Sequence, residues 1–94
     1  SYIPYCVSKA GVIALTQGLA KALAPKVQVN AVAPGTVLFP ESYSEEQRQR
    51  AVQPIPMGRE GSPEDVARTV LFLIEGSDFI TGAVIPVDGG RLIA

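Results

Sequence analysis

Two residues whose side chains can move a proton stand four positions apart near the beginning of the chain. Tyr5 carries a phenol and Lys9 carries an ammonium group. Four residues of a helix return to nearly the same face, so both side chains can point into one site. A positive charge about 6 Å from the phenol favours the phenolate by about 3 kcal/mol at an effective dielectric constant of about 20. The pair predicts a general acid or base, and the alternative is a tyrosine beside a solvated lysine without a catalytic role.

The composition is apolar for a short chain and nearly neutral in charge. Of the 94 residues, 47% are hydrophobic and 18% are charged, and the formal net charge is -1. Because small domains bury a poor fraction of their surface, this composition indicates a piece that packs against the rest of a longer chain or another subunit. Neither sign of charge forms a run, so we predict no nucleic-acid partner and no membrane partner.

A single cysteine and the absence of histidine exclude a disulfide framework and a zinc cluster, so we predict no metal site. Cys6 is either a reactive thiol or a small apolar spacer, and the lack of a histidine base favours the spacer. No apolar stretch reaches about 18 residues, and no signal peptide is recognisable. We therefore expect a cytoplasmic protein.

The hydrophobic pattern predicts helices that alternate with strands. The predicted elements are a helix over 7–24, a strand over 27–33, a connection over 36–61 with a short helix over 45–52, a helix from Ser62 to about Gly76, and a strand over 83–87. Apolar residues on two faces of the first helix predict burial on two sides. Ser44 with Gln47 fits a capping box, and Ser62 before Pro63 fits a helix start.

The order strand, helix, strand is typical of a βαβ unit with parallel pairing. Two strands are too few for a stable parallel sheet. The predicted fold class is therefore α/β, with residues 1–94 as the C-terminal part of a single doubly wound, parallel-sheet domain of the Rossmann type, in the order helix–strand–loop–helix–strand. The start at Ser1 rather than at a methionine also favours a fragment.

Three segments in this order resemble the short-chain dehydrogenase/reductase family. They are Tyr5-x-x-x-Lys9, the run from Val29 to Thr36, and Ile80-Thr81-Gly82 leading to Val87-Asp88-Gly89-Gly90. The helix start over 62–67 is also similar to that of the family. The resemblance covers essentially the whole chain. Within the family, the chain is similar to the branches of 3-oxoacyl-carrier-protein reductases and pteridine reductases.

The resemblance implies that Tyr5 donates or accepts the proton at the substrate oxygen. It implies that Lys9 holds the ribose hydroxyls of the nicotinamide cofactor and lowers the pKa of Tyr5. The cofactor implied is NADP, or NAD, bound by Tyr5, Lys9, Pro34, Gly35, Thr36 and Val37. The implied partners are a small carbonyl or alcohol substrate and further copies of the chain, in a dimer or tetramer.

The residues themselves agree with a ligand at the turn after the first strand. Pro34 and Gly35 follow the carboxyl end of a parallel strand, which is where α/β sheets bind ligands. Glycine permits a close backbone approach, and Thr36 offers a hydroxyl and an N–H. The alternative is an ordinary turn that ends a strand. We interpret the turn over 88–90 mainly as structure, with at most an indirect role in cofactor binding.

Half of the site that the resemblance implies is not in this chain. The family's glycine-rich phosphate loop follows its first strand, and its active-site serine and asparagine would fall before Ser1. Two functions remain open. One is an NAD(P)-dependent oxidoreductase segment, incomplete as it stands, with substrate selection by residues 38–57. The other is a non-catalytic fragment that serves structure or oligomerisation through the helix over 7–24.

Overall fold

The computed structural model describes residues 2–35 and 39–93, except for the side chains of Tyr2 and Tyr5. Its elements are α1 (Tyr2–Leu23), β1 (Ala31–Pro34), α2 (Glu45–Val52), α3 (Pro63–Glu75), β2 (Val84–Val87) and a 3-10 turn (Arg91–Ile93). This order confirms the predicted α/β class and the predicted bounds of the short helix over 45–52.

The two strands form one sheet with β1 beside β2. The Ala31 N–H donates to the Ala83 carbonyl at 2.9 Å, and the Gly35 N–H donates to the Val87 carbonyl at 3.0 Å. Because donors and acceptors advance in the same direction along the chain, the strands are parallel. The predicted βαβ unit is confirmed.

β1 is shorter than the strand predicted over 27–33. The amides of Gln28 and Asn30 both donate to the Ile80 carbonyl at 2.9 Å, and the Asn30 Oδ1 accepts the Ala83 N–H at 3.0 Å. Side chains therefore make most of the connections of this segment, beside one backbone bond from the Gly82 N–H to the Val29 carbonyl at 2.7 Å. The regular strand begins only at the residue after Asn30 for this reason.

The first helix begins earlier than the predicted start at residue 7. Pro4 lies in the first turn of α1, where backbone N–H groups have no partner within the helix. Proline is therefore tolerated there and does not delay the helix. At the other end α1 stops at Leu23, shortly before Pro25, as the proline predicts.

Only one stripe of α1 packs inward. Thr16 is 6% exposed and Ala20 is 4% exposed, whereas Val12 and Leu15 on the second apolar face are 53% and 62% exposed. A Cβ at Gly82 would lie 3.6 Å from the Ala20 side chain, which places the buried stripe near the loop before β2. The prediction that α1 is buried on two sides is wrong for the described chain, because only the stripe of Thr16 and Ala20 is buried.

Both predicted helix starts are confirmed. The Ser44 hydroxyl accepts the Gln47 N–H at 3.1 Å, and the Gln47 side chain accepts the Ser44 N–H at 2.7 Å. At α3 the Ser62 hydroxyl accepts the Asp65 N–H at 3.2 Å, and the Asp65 carboxylate accepts the Ser62 N–H at 2.8 Å. Each pair satisfies backbone donors that the helix leaves open. No helix in the described part of the chain combines the length and hydropathy that a membrane span requires.

The chain divides into two compact units. The first comprises Ser1–Ala31 with Phe72–Ile85, and the second comprises Val32–Leu71 with Pro86–Ala94. The first unit contains α1, which carries Tyr5 and Lys9. The second contains α2, the end of β1 and the turn after β2.

Candidate active site

The predicted proton-transfer pair lies within α1. Tyr5 and Lys9 are separated by one turn of the helix, which confirms their helical spacing. The Tyr5 side chain lies outside the described residues. Lys9 is half-buried and shares a stripe with Ile13 and the buried Thr16. The stripe is half-buried at Lys9 and Ile13 and buried at Thr16 and Ala20.

The Lys9 ammonium has no polar partner in the described part of the chain. Among the described residues, none forms a hydrogen bond or an ion pair with it. A lysine ammonium has three donors and no acceptor. In the described part of the chain these three donors are therefore unused.

The turn after β1 carries the second group of predicted site residues. Pro34 ends β1, and the Gly35 N–H is already committed to the Val87 carbonyl. Because proline has no N–H, neither residue offers a free backbone donor to a ligand. Thr36 and Val37, the other two residues predicted here, lie outside the described residues.

Gly35 is closely approached by another part of the same unit. A Cβ at this position would lie 2.7 Å from the Cβ of Asp88 and 2.9 Å from its Cα. The sequence predicts that a ligand approaches this glycine, whereas the close neighbour in the described chain is Asp88. The sequence predicts mainly a structural turn for Asp88-Gly89-Gly90, with at most an indirect role in cofactor binding, and it does not predict this contact.

A half-buried glutamate organises the segment that the sequence assigns to substrate selection. One oxygen of Glu60 accepts the Phe39 N–H at 2.7 Å, and the other lies 3.4 Å from the Arg48 guanidinium. The Phe39 ring stacks on Tyr43 with centroids 5.7 Å apart. The sequence gives no local signal for Glu60, because its partners are 12 and 21 residues away.

The same segment encloses a shallow cavity of about 290 Å³ within the second unit. Its lining combines apolar and charged side chains: Phe39, Glu45, Arg48, Gln49, Val52, Gly58, Arg59 and Glu60. Two of these residues, Arg48 and Glu60, are already paired with each other.

The clearest electrostatic perturbation lies at the start of α3. The Arg59 guanidinium donates to Asp65 at 3.1 Å and lowers the pKa of that carboxyl below its ordinary value. Hydrogen bonds from the backbone N–H and the hydroxyl of Ser62 lower this pKa further. Asp65 accepts all three bonds in its role at the helix start, so the shift is accounted for by structure.

The described part of the chain contains no cluster of side chains suited to a metal ion. There, no group of three or more His, Cys, Asp and Glu side chains could hold a metal ion. Cys6 is a free thiol on the exposed surface of α1.

Comparison with known proteins links the whole segment to one family. A family model described as enoyl-(acyl carrier protein) reductase matches residues 1–91. The chain is 48% identical over 93 residues to the 3-oxoacyl-[acyl-carrier-protein] reductase of Thermotoga maritima, covering 95% of this chain and 38% of that protein. It is 51% identical over 92 residues to the reductase of the same name from Aquifex aeolicus, covering 94% of this chain and 37% of that protein.

A solved structure shows the same architecture. The apo SCOR enzyme from Clostridium thermocellum matches with a TM-score of 0.79 and 42% identity. The match covers 96% of this chain and 35% of the enzyme. In each of these comparisons the chain spans well under half of the relative's length.

Proposed function

The chain belongs to the short-chain dehydrogenase/reductase family, and from this premise we propose that the full-length protein containing it is an NAD(P)-dependent oxidoreductase. The reaction is hydride transfer between a nicotinamide cofactor and a carbonyl or alcohol substrate. The observation that carries the proposal is the position of Tyr5 and Lys9 one turn apart in α1, with Lys9 half-buried and without a partner among the described residues.

The proposed substrate is a 3-oxoacyl thioester held on acyl carrier protein. Relatives named as reductases of such thioesters support this choice, whereas the description of the family model names an enoyl reduction. Reduction of a carbonyl places negative charge on oxygen, and a phenol positioned beside that oxygen supplies the proton directly. The Tyr5 and Lys9 pair therefore suits a carbonyl better than a carbon–carbon double bond.

In the proposed mechanism Tyr5 donates its phenolic proton to the substrate oxygen. Lys9 donates hydrogen bonds to the ribose hydroxyls and stabilises the phenolate that Tyr5 becomes. The nicotinamide cofactor supplies the hydride when bound. We assign the cofactor as NADP, with NAD as the alternative, and place Pro34, Gly35, Thr36 and Val37 beside it.

We further propose that residues 1–94 are the C-terminal part of one Rossmann-type domain in a cytoplasmic homo-oligomer, a dimer or a tetramer. Support comes from the open face of α1, where Leu15 is exposed and a Cβ at Gly11 or Gly18 would meet no atom within 4 Å. The same face supports the second candidate, a non-catalytic role in assembly. An intact protein can combine both functions.

The test measures the full-length protein with NADPH and a 3-oxoacyl thioester, following loss of NADPH absorbance. Tyr5→Phe should lower kcat by about 10²–10⁴-fold while the Kd for NADPH stays close to that of the wild type. Lys9→Met should raise this Kd and move the pH–rate profile to higher pH. Tyr2→Phe and Lys21→Met are matched controls, because they make the same changes elsewhere in α1.

The outcomes separate the two candidates. If Tyr5→Phe retains more than a tenth of the activity, Tyr5 is not the proton donor. If Lys9→Met leaves cofactor binding and the pH profile unchanged, Lys9 is a solvated residue. A wild-type protein that forms its oligomer but neither binds NADPH nor turns over would support the assembly role alone.

A further inference from the structure

The turn after β2 lies directly against Gly35, in the turn after β1 that we place beside the cofactor. The Cβ and Cα of Asp88 occupy the space that a side chain at Gly35 would need. The geometry points to the Asp88-Gly89-Gly90 turn as a positioning element that fixes Gly35 and holds it in register with the segment over 55–57. This inference rests on the function proposed above, in which Gly35 lies beside the cofactor.

The turn is stiffened by the Asp88 carboxylate. One oxygen accepts the Gly90 N–H at 2.9 Å, and the other accepts the Leu92 N–H at 3.1 Å. The Asp88 carbonyl also accepts the Arg91 N–H at 3.2 Å. A side chain that accepts from backbone N–H groups a few residues further on is a strong way to hold a tight turn.

Glycine is required twice in the turn. Gly89 has φ 64° and Gly90 has φ 91°, a region that residues with a Cβ rarely adopt. A Cβ at Gly89 would also lie 2.8 Å from the Ile55 side chain, and one at Gly90 would lie 3.0 Å from Pro56. Backbone conformation and close packing therefore demand glycine for independent reasons.

On its other side the turn is joined to the segment over 55–57. The Met57 N–H donates to the Gly89 carbonyl at 2.9 Å. Ile55 is 6% exposed, which makes it one of the few buried side chains in the described chain. The turn therefore lies between Gly35 and the buried Ile55, so a displacement of the segment over 55–57 should displace Gly35.

Two neighbouring residues, Val87 and Asp88, therefore restrain Gly35 in different ways. The Gly35 N–H donates to the carbonyl of Val87, immediately before Asp88, so this bond at the end of the sheet fixes the Gly35 backbone relative to β2. The contact with Asp88 limits how far Gly35 can move towards the turn over 88–90. Loosening the carboxylate should weaken cofactor binding while leaving chemistry at the proton donor intact once the cofactor is bound.

The test compares Asp88→Ala, Asp88→Asn and the control Asp78→Ala in the full-length protein. Asp78 is exposed and also lies in a loop of the described chain. Asp88→Ala removes both bonds of the carboxylate and should raise the Kd and KM for NADPH about tenfold, with kcat at saturating NADPH within about twofold of wild type. Asp88→Asn retains one carbonyl acceptor and should restore part of the affinity.

A second readout needs no cofactor. Hydrogen exchange of the Gly35 amide in the free protein should be faster in Asp88→Ala and unchanged in Asp78→Ala. Unchanged exchange, or a lower melting temperature with wild-type Kd and KM for NADPH, would show that the turn is only structural and would overturn the inference. Failure of the wild-type protein to bind NADPH would instead overturn the proposed function, and the exchange experiment would still report on the contact.

Discussion

Substitution of Asn30 offers the sharpest test of how the segment before β1 is joined to the segment before β2. Its Nδ2 donates to the Ile80 carbonyl at 2.9 Å, and its Oδ1 accepts the Ala83 N–H at 3.0 Å. Asn30→Ala removes both bonds. The Ile80 carbonyl keeps a donor, because the Gln28 side chain also reaches it at 2.9 Å. The Ala83 N–H keeps no such substitute in the described contacts.

The cost of Asn30→Ala follows from this difference. A net hydrogen bond contributes about 0.5–1.5 kcal/mol, and a partly buried donor left without an acceptor costs about 1–3 kcal/mol. We expect a loss of about 2 kcal/mol in the free energy of unfolding, mostly from the Ala83 N–H. Asn30→Asp keeps an acceptor for that N–H but turns a second oxygen towards the Ile80 carbonyl, so it should recover only part of the loss. Gln28→Ala removes only exposed bonds that water replaces, and should cost less than about 0.5 kcal/mol.

The measurement is urea unfolding of the full-length protein and the three variants, with a shared m-value as the check on two-state behaviour. The expected order of stability is wild type, Gln28→Ala, Asn30→Asp and then Asn30→Ala. If Asn30→Ala lost no more than Gln28→Ala, side-chain bridges would not hold the segment before β1, and the explanation for its short strand would be refuted.

Two further predictions concern charge and assembly. Because Arg59 and Ser62 lower the pKa of Asp65 in the folded protein, its contribution to stability is complete above the pKa of the unfolded state and is lost as the pH falls through the folded value. Urea midpoints of the wild type should therefore fall more steeply than those of Asp65→Asn between about pH 5 and about pH 3. Equal slopes would show that Asp65 does not contribute to the pH dependence of stability. Leu15→Glu on the open face of α1 should reduce the mass of the full-length protein measured by light scattering, whereas Gln17→Glu, which adds the same charge at another exposed position, should leave it unchanged. An unaltered mass in Leu15→Glu would place the subunit interface elsewhere.

Local signals in the sequence determined the helices and the spacing of the candidate catalytic pair. Ser44 with Gln47 and Ser62 with Asp65 close their hydrogen bonds within three residues. Such bonds depend on neighbours that the sequence itself displays, so both helix starts could be predicted. The spacing of Tyr5 and Lys9 is likewise a property of one helix, and an error of several residues in its start did not disturb it.

Contacts between distant parts of the chain were decided by the tertiary structure alone. Asn30 shortens β1 through partners 50 and 53 residues away, and a glycine is needed at position 35 within this chain because Asp88 approaches it across the sheet. The apolar faces of α1 look alike in sequence, yet only the stripe of Thr16 and Ala20 is buried in the described chain. Residue types state what a side chain can bond to or pack against, whereas the parallel register determines which distant group it meets.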